Sequence, residues 1–165
     1  MTHKQILMTA TAAIMIAAMG IFAGCKKDNE ENLAKLVTGI YIGNITLEED
    51  LVGENNQVVV KYHSPKQVVF SIEGETFKVP QMGNIEAEIK AECVAKVTKI
   101  ENGHNAEGKT EASLMVSGIT LKLPTKINAT FIDNDLDMNI AVELPAMMGG
   151  ENIVVRFKGL KILED

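Results

Sequence analysis

The sequence predicts an all-β protein, a single antiparallel up-and-down β-barrel of about eight strands behind an N-terminal export segment. Three observations predict it. Apolar and polar residues alternate through most of the chain after residue 36. Turn residues interrupt that alternation at short, hairpin-like spacing. No helix-length apolar pattern of period about 3.6 appears after residue 35. Length and charge narrow the classes further. The chain has 165 residues, 16 of them basic and 22 acidic, for a formal charge of −6. That length suits one domain, and the acidic balance disfavours a nucleic-acid partner, which calls for a basic face. A hydrophobic content of 46% is too high for a disordered chain.

The first element is an address. Lys4 is the only Lys or Arg before residue 26, and residues 5–25 carry no charge. A short positive start, an apolar stretch and small residues before a break make a secretory signal. The alternative is an uncleaved span, since about 20 apolar residues can cross a bilayer. The segment ends on Phe22-Ala23-Gly24-Cys25, which resembles a bacterial lipobox, with Phe22 where Leu is usual. The resemblance implies a lipoprotein signal peptide over 1–24 and a lipidated Cys25 as the mature N-terminus. One acyl chain, at roughly 0.8 kcal/mol per buried CH₂, holds a protein only marginally, and two or more hold it stably. The expected partner is therefore a membrane, reached through the lipid anchor.

Residues 25–36 read as a lipidated N-terminus and charged tether. Lys26-Lys27-Asp28-Asn29-Glu30-Glu31-Asn32 is solvated by composition. Acid-rich residues directly after a lipid Cys also resemble the surface-export signal of Bacteroidetes lipoproteins, which implies an outward-facing position on the outer membrane. Removing 1–24 leaves 141 residues with 15 basic against 22 acidic, a charge of −7. A domain of this size buries a core unaided. With Cys25 acylated, Cys93 stands alone and no intramolecular disulfide can form.

The strands follow over 37–165. Gly39-Ile40-Tyr41-Ile42-Gly43 opens the first. Val58, Val60 and Tyr62 alternate next, then Val68, Phe70 and Ile72. The clearest case is Ile85, Ala87, Ile89, Ala91, Cys93, Ala95 and Val97, set against Glu86, Glu88, Lys90, Glu92, Val94, Lys96 and Thr98. Glu, Ala and Lys suit a helix by propensity, but a helix would spread these charges around its girdle and a strand sorts them onto one face. Ile127, Ala129 and Phe131 form a further set, then Leu136, Met138, Ile140, Val142 and Leu144, and finally Ile153, Val155 and Phe157. Breaks are expected at 52–56, 63–65, 80–84, 101–105, 133–135 and 145–150. Eight strands in sequence most easily remove their edges by closing.

Several segments together carry a resemblance: Gly39 to Gly43, Met82-Gly83-Asn84-Ile85, residues 121–129, residues 133–138, and Val154-Val155-Arg156-Phe157-Lys158-Gly159. In this order and spacing, over about 37–163, the chain resembles the calycin-like β-barrel lipoproteins of Bacteroidetes. The resemblance implies a small lipocalin-like barrel behind a lipid anchor, and it supplies no catalytic residues. True lipocalins have Gly-x-Trp in the first strand with an Arg of the last strand packed on the indole. Here the spot reads Gly39-Ile40-Tyr41, and the only Arg is Arg156. A cation–π stack of Arg156 on Tyr41 is one expectation. Alternation with Val155 and Phe157 places Arg156 on the outer face instead. The chain has no Trp to build a lipocalin base.

Chemistry is sparse. No Gly-rich phosphate loop or zinc-protease motif is present, and no catalytic residue, metal or cofactor is expected. His63 and His104 fall in expected turns. Asp133, Asp135 and Asp137 resemble the start of a calcium loop, but loop position six is Met138 and position twelve is Leu144, which leaves a hairpin turn as the better reading. Cys93 sits on the apolar face, where a thiol is usually inert. The candidate ligand site is the barrel interior, where small Ala87, Ala91 and Ala95 face Phe70, Phe131, Met138 and Phe157. Either those large side chains fill the space, or one small apolar ligand does. Met147 and Met148 form a candidate apolar lip. The functional expectation is a non-enzymatic, membrane-anchored barrel that binds a small apolar ligand or a partner protein. A filled barrel serving as a structural or accessory subunit of an outer-membrane complex is the alternative.

Overall fold

The computed structural model describes residues 31–79, 83–146 and 150–162. The signal segment, Cys25, Met82, Met147 and Met148 lie outside the described residues.

Leu33, Ala34 and Val37 share one side of a single helical turn, and α1 spans Leu33–Val37. The Asn32 side chain accepts a hydrogen bond from the Lys35 N–H at 3.3 Å, and the Thr38 hydroxyl donates to the Ala34 carbonyl at 2.7 Å. A helix of five residues is unstable alone. Burial of Leu33, Ala34 and Val37 against the barrel holds it, at about 1.5–3 kcal/mol for each large side chain. The sequence reading places residues 33–36 in the tether. The structure instead counts Leu33 and Ala34 in the core, and the compact unit begins at Glu31.

Eight strands follow: β1 Gly39–Leu47, β2 Asp50–Ser64, β3 Gln67–Val79, β4 Ile85–Ile100, β5 Gly103–Val116, β6 Ile119–Ile132, β7 Asp135–Glu143 and β8 Asn152–Lys161. Each pairs antiparallel with the next, and β8 pairs with β1, so the sheet closes into an up-and-down barrel. The expected alternation decides which side is dry. On β4, Ala87, Ile89, Ala91, Cys93, Ala95 and Val97 point inward and are buried, and charged residues between them face out.

Closure depends on a glycine pair. Gly43 of β1 lies opposite Gly159 of β8. A Cβ at Gly43 would overlap the Lys158 carbonyl oxygen and the Gly159 Cα, and one at Gly159 would come within 2.6 Å of the Phe157 ring. The two strands meet there without side chains between them.

Three expectations on local structure are corrected. Residues 52–56 form no hairpin turn; they are part of β2, which already starts at Asp50. Gly53 and the left-handed Asn55 (φ 57°) form a bulge, visible as register shifts between Gly43 and Ile45 and between Ile45 and Thr46 of β1. Second, β5 is a full strand that the alternation did not bring out, and β6 begins eight residues before Ile127. Ser117 and Gly118 join them with φ of 51° and 79°, the paired left-handed geometry of a tight hairpin turn. Third, His63 lies within β2 and His104 within β5.

The two barrel ends differ. Turns β2–β3, β4–β5 and β6–β7 gather at the end that α1 covers. There the Ala34 N–H donates to the Pro65 carbonyl at 3.1 Å, and Lys99 pairs with Glu31 at 3.3 Å. The Tyr41 hydroxyl donates to the Val37 carbonyl at 2.8 Å. Below it the Tyr41 ring meets Phe131 with centroids 5.7 Å apart, and Phe131 stacks on Phe70 at 6.2 Å. The opposite end, with turns β1–β2, β3–β4 and β5–β6, has no such cover among the described residues.

Candidate functional site

The residues singled out for the barrel interior are all inward and buried. Pairing explains how they fill it. Ala87 lies opposite Phe77, Ala91 opposite Ile72, and Ala95 opposite Val68. Met138 lies between Ala129 on β6 and Phe157 on β8. Phe70 stacks on Phe131. Ala91 and Ala95 thus make room for Ile72 and Val68 in a packed middle layer, whereas Ala87, between Phe77 and Val116, lies at the level of the open end. None of these seven residues is among those lining the cavity described next.

Space opens higher up, at the end without the helix. A concavity of about 940 Å³ begins there and runs on over the outer wall, so only part of that volume lies inside the barrel. Its floor is Leu47, Phe77, Val79, Ile89, Leu114, Val142 and Val155, all buried. Its upper wall is Val116, Leu121, Leu144 and Ile153, partly exposed, with Ile119 64% exposed at the lip. The concavity continues over the outer wall beside Asn139, Val154 and Arg156. The turn β1–β2 contributes Glu48, held in a left-handed conformation (φ 60°), and β5–β6 contributes Ser117. Glu151 and Asn152, leading into β8, complete the rim.

These positions come from ordinary strand alternation. Inward residues near the ends of β1, β3, β5 and β7 and near the starts of β4, β6 and β8 all point into the open end. They are apolar because they continue the core pattern, and among the described residues no further layer covers them. The sequence reading missed them for that reason.

Charge stays outside. Arg156 does not stack on Tyr41. It lies on the outer face, as its alternation implied, and grips Asp137 with two donors: Nε–H to Oδ1 at 2.8 Å, and Nη2 to Oδ2. Lys158 approaches the same carboxylate at 3.9 Å. The hydrogen bond from Arg156 holds the Asp137 carboxyl below its ordinary value, assisted by the charges of Arg156 and Lys158. Asp137 is therefore engaged in an ion pair, and the calcium-loop likeness of 133–137 ends there. Among the described residues no group of three or more His, Cys, Asp or Glu is placed to hold a metal ion. Cys93 is fully buried in the middle layer, and burial pushes its thiol up to about 11. It is a core thiol and a poor nucleophile.

No family model matches the chain, and no curated protein matches it. Among solved structures, the chain is similar to a candidate outer membrane protein of Bacteroides fragilis, with a TM-score of 0.54 and 16% sequence identity. The match covers 79% of this chain and 53% of that structure, so the chain spans about half of that protein's length. At this identity the likeness concerns the fold.

Proposed function

We propose that the protein is a lipid-anchored, calycin-like barrel of the outer membrane or cell surface that binds a small hydrophobic molecule in its open end. The observation that carries this reading is the asymmetry of the barrel: one end plugged by α1 and aromatic rings, the other a wide apolar cavity with an exposed lip. Water in contact with so many apolar side chains is unfavourable, and an apolar ligand relieves that contact. Binding fits better than catalysis because, among the described residues, the titratable groups on the cavity lining are Glu48 and Glu151 at the rim and the ion-paired Arg156.

Attachment through Cys25 is the matching reading of location. The barrel is built the wrong way round to span a bilayer. A membrane-spanning barrel is apolar outside, whereas β4 presents Glu86, Lys90, Glu92 and Lys96 outward and Ala, Ile and Val inward. Association with a membrane therefore falls to an anchor. The lipobox-like residues and the likeness to a candidate outer membrane protein support it.

Native mass spectrometry of the purified protein, with lipid extraction and titration of an apolar fluorescent probe, tests the binding reading. Probe uptake that an introduced Leu114→Trp side chain blocks is the expected result. A folded barrel that takes up no apolar molecule refutes it. The accessory-subunit reading has one observation of its own. Ile42, Leu160 and Ile162 stand 37%, 62% and 45% exposed along the β1–β8 seam, outside the barrel. Co-purification of a partner that Leu160→Glu abolishes would favour that second role.

A further inference from the structure

The cavity carries information about its ligand's head as well as its tail. Its floor offers no polar partner, so whatever enters must place its polar end at the rim. At that rim stand two carboxylates, Glu48 on the β1–β2 turn and Glu151 before β8, together with the uncharged Ser117 and Asn152. The one cation on the lining, Arg156, already spends two of its donors on Asp137 from the outer wall. Lys78 and Lys122, on the nearby ends of β3 and β6, alternate with the inward Phe77, Val79, Leu121 and Leu123 and so point out of the barrel. Among the described residues no lysine lines the cavity. Glu49 and Asp50 add to the acidic side of the same turn.

Resting on the ligand-binding reading above, we propose that this site selects amphiphiles with a cationic head over otherwise identical anionic ones. A single apolar tail occupies the space between Ile119 and Phe77, and the positive head lies between Glu48 and Glu151. A fatty-acid-like carboxylate would meet two like charges, with only the neutral donors of Ser117 and Asn152 in return. Near a protein surface at physiological ionic strength, two rim charges give a preference of about tenfold, and added salt erodes it.

Three probes with the same dodecyl tail separate the head from the tail: dodecyltrimethylammonium, dodecyl maltoside and dodecanoate. Their affinities for the purified full-length chain are measured below micelle formation by calorimetry, at low and high salt. The same set is run on Glu48→Gln/Glu151→Gln and on Leu114→Trp, which fills the cavity. The expected order is ammonium, then maltoside, then dodecanoate. The gap between the charged probes should be about tenfold at low salt and small in high salt or in the double variant, with maltoside unchanged. Leu114→Trp should lose all three, which distinguishes the cavity from general attraction of cations to an acidic protein. If maltoside binds but ammonium does not exceed dodecanoate, the head-group inference is overturned and the cavity reading stands. The same holds if the preference survives the double variant. If none of the three binds, the cavity reading fails and takes this inference with it.

Discussion

Alkaline conditions should unfold this barrel in a definite pH window, set by two buried groups. Burial pushes the Tyr41 hydroxyl from 10.0 up to about 12 and the Cys93 thiol from 9.0 up to about 11. Both groups are neutral when folded and ionise more readily once the chain unfolds. A value raised in the folded state contributes stability that is fully present below the unfolded value and is lost as pH rises through the folded one. Cys93 therefore acts between about pH 9 and 11, and Tyr41 between about 10 and 12. At about 1.4 kcal/mol per pH unit, each shift is equivalent to about 3 kcal/mol. Where the windows overlap, between about pH 10 and 11, stability should fall by about 3 kcal/mol per unit. The combined loss approaches the whole stability of a small domain, about 5–15 kcal/mol. Urea unfolding midpoints across this range measure it directly, with tyrosinate absorbance reporting Tyr41. Tyr41→Phe should remove the upper part of the decline, and Cys93→Ala the lower part. If the double variant loses stability over pH 9 to 12 as steeply as the parent, burial of these groups is not the cause and the reasoning is wrong.

Other consequences are simpler to read. Gly43→Ala should destabilise by about 1–3 kcal/mol or more through overpacking, because its methyl group has only the β8 backbone to displace; thermal unfolding will show it. At neutral pH, Tyr41→Phe should lose about 1 kcal/mol with the hydrogen bond to Val37, and amide exchange should quicken first in α1. Leu114→Trp should leave the far-ultraviolet circular dichroism unchanged and abolish uptake of an apolar fluorescent probe. Asp137→Asn should change stability little, since the pair with Arg156 is largely exposed. The small difference belongs to a carboxyl whose value is lowered in the fold, so it should be present above the ordinary value of 3.8 and vanish as pH falls below it.

The strand pattern was legible wherever one face stays dry along a whole strand, as on β4. It faded on β5, whose inward positions include Gly108. A Cβ there would come within 2.6 Å of the Cys93 sulfur, so the place where an apolar residue would have marked the strand is one the packing leaves empty. The turn signal at 52–56 misled for a related reason. Gly and Asn supply the left-handed residue of a bulge as readily as that of a hairpin, and composition does not distinguish them. Helix α1 is one turn long, too short for its periodicity to stand out, and Asn32 as a cap is a weak signal alone. The interior residues singled out by the alternation are inward and buried, but the strand neighbours of Ala87, Ala91 and Ala95 are Phe77, Ile72 and Val68 and not the large residues expected opposite them. The cavity was not legible, because Ile89 and Leu114 at its floor follow the same alternation as Cys93 and Ala112 in the packed layer. What separates them is whether something covers the barrel end, and that depends on three-dimensional closure.

The glycine seam bears on how the protein is made. Gly43 and Gly159 are 116 positions apart in the chain, so the last hydrogen-bonded ladder joins segments synthesised at nearly opposite times. Until β8 emerges, β1 has an open edge and the sheet cannot close. Pairing across so long a loop is slow. A nascent chain therefore lacks its final structure for almost the whole of its synthesis, and a translocation channel would meet it as a flexible thread. Closure is thus postponed to the final ladder, and were the chain exported as proposed, that delay would keep it threadable until β8 is available.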